Sequence, residues 1–403
     1  MSENPAAQDT VRATAKGHLN YPLFAALMAN TVAVNLVVSL VRVTTSYRAI
    51  ELHVSVLWIS IIAAGFSLVP IFAAVSLGRV IDRGHDALSA WVGAFLMLLA
   101  CVGMWWHALS EIHLLIFSIL LGFGHMFCMA AHQMISVRSA SGMMREHVFG
   151  YHMIAIATGQ GLGPMLLGYL GGDSRIPPTQ LLFTCALAFA ALSQLLSFLL
   201  RPAPAGPEKH DLSNSVTIRQ LLSNRALIAV LISSVVTITA FELLVVYLPL
   251  LGSERHIDTR DIGLLLAARS AVSIAARLFY ARLIVLVGRM RLMLNCMLLG
   301  ALAFLIIGLP VNLPMMYLAI VIMGFGLGLA TTLTFSEVVH LAPPNARAVA
   351  LSLRVTGNRI GQMVVPVLAG LIAEATGIGG VLIIIAGFLA ASGVYTHATV
   401  KRS

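Results

Sequence analysis

Apolar runs of about twenty residues recur along nearly the whole chain, separated by short polar or glycine- and proline-bearing stretches. A run of that length is what an α-helix needs to cross a hydrocarbon layer of about 30 Å. Twelve runs are placed, at 21–41, 54–77, 88–106, 114–137, 150–171 and 180–200, then at 226–251, 262–283, 292–309, 314–339, 348–373 and 380–396. Between the sixth and seventh lies a polar connector that opens Arg201-Pro202-Ala203-Pro204-Ala205-Gly206-Pro207. Its prolines, glycine and following charges mark a linker. The pattern predicts an all-α membrane protein with a tail at 1–20, a six-helix bundle at 21–200, a linker at 201–225, a second six-helix bundle at 226–396 and a tail at 397–403.

The two halves carry the same unit. Gly159-Gln160-Gly161-Leu162-Gly163-Pro164-Met165-Leu166-Leu167-Gly168 returns 202 positions later as Gly361-Gln362-Met363-Val364-Val365-Pro366-Val367-Leu368-Ala369-Gly370. The same offset pairs Gly122-Phe123-Gly124 with Gly324-Phe325-Gly326, and Arg145 with Arg347. A duplicated apolar chain is the sequence sign of a transporter whose halves rock about a site between them. Small residues one helical turn apart, Gly159 with Gly163 and Gly357 with Gly361, let helices approach closely. They are expected at the seam between the halves, where Pro164 and Pro366 each free a carbonyl and soften the helix.

Composition agrees with the spans. Of the 403 residues, 59% are hydrophobic and 10% charged, against about 25% charged in a soluble domain. The net charge of +9 does not point to nucleic acid, because Lys and Arg sit in alternate loops. Sixteen basic residues fall on the side of the two tails and the linker. Five (Arg42, Arg48, Arg175, Arg255 and Arg260) fall on the other. That asymmetry predicts cytosolic termini in a bacterial-type inner membrane. Residues 1–20 lack the apolar core of a signal peptide. The cysteines at 101, 128, 185 and 296 stand singly in apolar runs, without the spacing of a zinc site or a disulfide framework.

The connection after the second run reads Gly78-Arg79-Val80-Ile81-Asp82-Arg83-Gly84-His85-Asp86. It resembles the loop signature of the major facilitator superfamily, which Gly78, Asp82 and Arg83 match. The fifth run, with Gly159, Gly163, Pro164 and Gly168, resembles the signature of that family's antiporter branches. The resemblance implies two pseudo-symmetric six-helix bundles and a cytosolic latch formed by Gly78, Asp82 and Arg83. Drug antiporters of the family commonly carry an acid in the first span and an Arg in the fourth; here Asn30, Asn35 and Ser118 stand in those regions.

Charges inside the runs call for a reason, since a charge at mid-bilayer costs on the order of 3 kcal/mol. Glu242 and Arg269 lie at similar depth, roughly 10–12 Å below the outer edge by helical rise. They are expected to pair, either as structure or as a proton-accepting carboxylate beside an Arg that tunes it. Arg354, Asn358 and Gln362 form one stripe, with Arg359 beside it, and the repeat offset places His152 and Gln160 at the positions of Arg354 and Gln362. Arg354 has Glu337 as its expected partner. Arg359, Asn358, Gln362, Gln160, His125 and Asn35 are the candidates for the cavity wall. Four Arg against two Glu in the spans favour an anionic substrate.

His125, Cys128, Met129 and His132 share a helical face that suits copper or zinc, yet no second helix offers a matching set, so no resident metal or cofactor is expected. Nor is an enzyme: no nucleophile stands at recognisable spacing from a base, and no phosphate-cradling Gly-Lys-Ser/Thr segment is present. The function the sequence favours is proton-coupled export of a small organic compound, on the Gly-Pro run of the fifth span. The alternatives are proton-coupled uptake of a small anionic or aromatic metabolite or vitamin-like compound, copper-like transport, and a membrane scaffold. The expected partners are a small-molecule substrate, protons and the bilayer, with no nucleic acid and no required oligomer.

Overall fold

The computed structural model describes residues 21–138, 144–200, 218–343 and 346–401, and every regular element among them is a helix. The first half comprises α1 (Tyr21–Glu51), α2 (Val56–Asp82), α3 (Asp86–His107), α4 (Glu111–Arg138), α5 (Met144–Gly171) and α6 (Thr179–Ser197). The second comprises α7 (Arg225–Glu254), α8 (Thr259–Leu278), α9 (Arg289–Gly308) and α10 (Leu313–Leu341), and then a helical stretch Arg347–Lys401 that breaks at Gly377 into α11 and α12. Gly377 has φ 71° and ψ 173°, a conformation open to glycine and strained for other residues. Polar caps start several of the helices, Ser110 before α4 among them, where it accepts from the His113 N–H. Ser55, Asn224 and Asn312 accept from the backbone N–H of Trp58, Leu227 and Met315.

Two expectations about the spans change. The first run continues past 41, so Arg42 and Arg48 belong to α1 rather than to a loop. Arg48 donates to the Ala108 carbonyl at 2.9 Å and pairs with Glu51, which satisfies its charge within the helix ends. The eighth run is not straight. α8 ends at Leu278, where the Phe279 N–H bonds to Ala276 and tightens the turn, and the short helix Tyr280–Val287 leaves at 62°.

Glycines let the helices close up, and the repeat explains which face each one serves. Gly122 of α4 meets the backbone of Phe66 in α2, while Gly124 meets Gly93 and Met97 in α3. Their repeats in α10 do the same: Gly324 meets Arg269 of α8 and Gly326 meets Cys296 of α9. A methyl on Gly122 would stand against the Phe66 carbonyl and 2.7 Å from its carbon. Gly122→Ala is therefore expected to cost about 1–3 kcal/mol and lower the melting temperature. Gly387→Ala, which meets nothing within 4 Å, is the silent control.

The expected seam glycines are corrected. Gly159 and Gly163 face α1 of their own bundle, at Val32, Asn35, Leu36 and Leu40, and Gly361 faces Val235 and Thr239 of α7 in its own. The contacts between bundles come from Gly161, which faces Ser270 of α8, and from the last glycine of each copy. Gly168 meets Arg260 and Gly263 of α8, and Gly370 meets Leu57 and Ser60 of α2. Pro164 presents its carbonyl to Gly263, and so does stand at the seam.

Hydrogen bonds between the bundles run from mid-depth to the end away from the chain termini. The hydroxyls of Ser60 and Tyr247 are 2.8 Å apart. Thr259 donates to the Ser174 carbonyl through both its N–H (2.9 Å) and its hydroxyl (2.7 Å). Arg260 donates its N–H to Gly172 and pairs with Asp173 at 2.8 Å. This end of the seam is closed.

Candidate functional site

A central cavity of about 280 Å³ lies between the bundles, walled by α1, α2, α4 and α5 on one side and by α7 and α11 on the other. The helical period places its residues. Asn35, Val38 and Arg42 are spaced three, four and seven apart and so share one face of α1. Asn358 and Gln362, four apart, do the same on α11, with Arg359 on the adjoining face and Pro366 one turn further. His125, Met129 and Gln133 on α4 and Gln160 on α5 complete the polar wall. Asn35, His125, Gln160, Asn358, Arg359 and Gln362 thus all line one space.

The charged centre is an ion pair that crosses from one bundle to the other. Arg42 of α1 donates to a Glu242 carboxylate oxygen of α7, with side chains 16% and 25% exposed. The Arg42 guanidinium also lies 5.0 Å from the centre of the Phe66 ring, a cation–π arrangement that holds it in place. The pattern of runs places Arg42 in a loop and the depths pair Glu242 with Arg269; the structure corrects both. Instead, Arg269 is 3% exposed, donates to the Phe241 carbonyl at 2.6 Å and lies 4.0 Å over the Phe241 ring. It steadies the turn of α7 that carries Glu242.

Arg359 donates to Gln362 at 3.2 Å, and the same Gln362 oxygen accepts from Ser67 of the opposite bundle at 3.4 Å. Asn358 accepts from Ser234 at 3.1 Å. Asn35 donates to the Thr31 carbonyl at 2.9 Å. Both ring nitrogens of His125 are buried without a hydrogen-bond partner among the described residues, and the ring lies 5.5 Å from that of Phe66. Two guanidinium groups against one carboxylate leave the cavity wall with a surplus positive charge.

Other expectations separate from the cavity. Arg354 does not meet Glu337. It donates to Thr331 and Thr334 of α10 and lies 5.5 Å over Phe335, while Glu337 pairs with Arg289 at 3.5 Å. His152 joins His132 around Thr31, at 3.4 and 3.3 Å from its hydroxyl. The single face of α4 also divides, because Cys128 turns to the Ala90 carbonyl of α3. Among the described residues no three of His, Cys, Asp and Glu gather as a metal site. Arg83 is the exposed C-cap residue of α2, while the surroundings of Gly78 and the side chains of Asp82 and Arg145 lie outside what the structure describes.

The family model of the Major Facilitator Superfamily matches residues 23–258 and 230–402, which together span nearly the whole chain. The chain belongs to the major facilitator superfamily. It is therefore a secondary transporter and a multi-pass membrane protein. Solved members of the same fold agree. A bacterial homologue of the human lysosomal transporter Spinster, inward-facing and unoccupied, superposes with a TM-score of 0.80 at 13% identity, over 94% of this chain and 96% of its own. The nucleoside transporter NupG gives 0.76 at 14% identity, over 94% and 99%. A D-xylose–proton symporter gives 0.74 at 13% identity, over 92% and 97%. No curated protein sequence matches.

Proposed function

We propose that this member of the superfamily is a proton-coupled carrier of a small organic anion, with Glu242 as the proton acceptor and Arg42 and Arg359 meeting the substrate's charge. The observation that carries the reading is the Arg42–Glu242 pair spanning the two bundles inside the cavity. An anion that takes Arg42 leaves the Glu242 carboxylate without its counter-charge, in a place where bare charge is costly. Protonation of Glu242 removes that cost, so anion and proton bind together. Once both are bound, the electrostatic tie between α1 and α7 is gone and the bundles are free to rock. The basic loops support cytosolic termini in an inner membrane, which makes the closed end of the seam the outer one. Gly78, Asp82 and Arg83 would then latch the cytosolic end in the alternate state.

Export in exchange for protons is the second reading, supported by the Gly-Pro run of α5. The substrates of the structural neighbours differ among themselves, from nucleosides to D-xylose, so the fold does not choose the cargo. Proteoliposomes with an imposed pH gradient, screened with organic anions and common drugs, separate the readings. Accumulation driven by an acid exterior is expected. Accumulation into acid-loaded vesicles would replace symport with exchange, and indifference to the gradient would remove Glu242 from coupling.

A further inference from the structure

The bend after α8 builds a feature on the side of the chain termini, away from the central cavity. The helix Tyr280–Val287 has no buried residue, and Val285 and Leu286 are 85% and 80% exposed. Inclined 62° to α8, with Tyr280 and Arg282 beside that apolar surface, it has the composition of a helix lying along a bilayer surface. Beside its end, between the start of α9 and the end of α12, is a recess of about 400 Å³. Arg289, Arg291, His397 and Lys401 supply its polar lining, and Val287 and Val400 part of the apolar one. Among the described residues, none that lines it is acidic. Glu337 pairs with the Nε of Arg289 at 3.5 Å, and among the described residues Arg291 and Lys401 have no ion-pair partner. The Nδ1 of His397 is buried there without a hydrogen-bond partner among the described residues.

We propose that this recess holds the headgroup of an anionic phospholipid, whose acyl chains continue over the exposed apolar surface of Tyr280–Val287. The chemistry recognised is a phosphate diester: positive charge and N–H donors at headgroup depth, next to a surface that water disfavours. Basic pockets between spans at the membrane surface attract such groups, each Lys or Arg contributing about a fivefold gain in affinity. An anionic lipid bound there would tie α9 to α12 at the edge of the second bundle, a contact independent of what the central cavity carries. The inference therefore stands apart from the proposed anion–proton reading.

The test uses the full chain in neutral detergent, titrated with phosphatidylglycerol or with phosphatidylcholine of the same acyl composition, and counts bound lipid by native mass spectrometry. Phosphatidylglycerol is expected to bind selectively, and the double variant Arg291→Gln with Lys401→Gln to weaken it about 25-fold at low salt. Both side chains are exposed, and Lys401 ends the last helix, so Lys401→Gln alone provides a fivefold step in a chain whose core is untouched. Arg175→Gln, the same charge change in the exposed α5–α6 loop on the opposite face, should leave the affinity as it was. Equal affinity in wild type and both recess variants would overturn the site. Displacement of the lipid by inorganic phosphate at the same concentration would overturn the lipid and make the recess a small-anion site.

Discussion

Glu242→Gln is expected to abolish gradient-driven accumulation of substrate while leaving gradient-independent exchange. The glutamine keeps the shape and a hydrogen-bond acceptor for Arg42 but cannot take up a proton, so the link between substrate and pH is removed. A neutral amide holds Arg42 less tightly than the carboxylate does, so equilibrium binding of the anion should tighten by about tenfold and lose its pH dependence, the size of one charge-assisted hydrogen bond. Arg42→Gln should do the reverse. It strands the Glu242 carboxylate, costs about 2 kcal/mol for a pair exposed to this degree, and removes both binding and transport. Substrate binding and vesicle uptake across a pH series measure the two effects. If Glu242→Gln still concentrates substrate against its gradient at the wild-type rate, the proton is carried elsewhere and the coupling assignment fails.

That pair also shows where reading the chain succeeds and where it stops. A charge near the edge of an apolar run looks like the run's end. The apolar run ends at 41, so pattern alone assigns Arg42 to the loop. Burial supplied what pattern lacks: the chain tolerates Arg42 inside because Glu242, 200 residues away, and the Phe66 ring receive it. Depth arithmetic pairs Glu242 with Arg269 because both lie at similar height on neighbouring spans. It has no information about rotation around the helix axis, and that rotation sends Arg269 to the Phe241 carbonyl instead.

The polar stripe of α11 was legible for the opposite reason. Asn358, Arg359 and Gln362 are separated by intervals that hold them on adjoining faces whatever the helix does, and the repeat supplies Gln160 as the counterpart on α5. Duplication fixes pairs of positions but not what each faces. It marked Gly159 with Gly361 and Gly168 with Gly370, yet only packing reveals that the first pair closes each bundle internally and the second joins the bundles. The turn at Phe279 left no mark at all, since neither glycine nor proline stands there.

The seam itself yields the other large expected effect. Gly263 and Gly168 bring α8 and α5 into backbone contact: a methyl on Gly263 would stand against the Gly168 nitrogen, 2.5 Å from its Cα and 2.6 Å from the Pro164 carbonyl oxygen. None of these is a side-chain end that can swing aside, so Gly263→Ala forces the two helices apart exactly where the closed end is knit by Thr259, Arg260, Gly172 and Ser174. Overpacking of this kind costs about 1–3 kcal/mol, and the cost falls on this conformation alone if the alternate one separates α5 from α8 here. The variant should therefore shift the population toward the state open at this end by roughly 5- to 150-fold. Spin labels at Arg175→Cys and Glu254→Cys, exposed positions on the two bundles, would report a longer distance in Gly263→Ala than in the parent. The Gly387→Ala control should reproduce the parent distribution. An unchanged distance in Gly263→Ala, with the protein folded, would mean that this contact does not govern closure and that the bundles part about some other line.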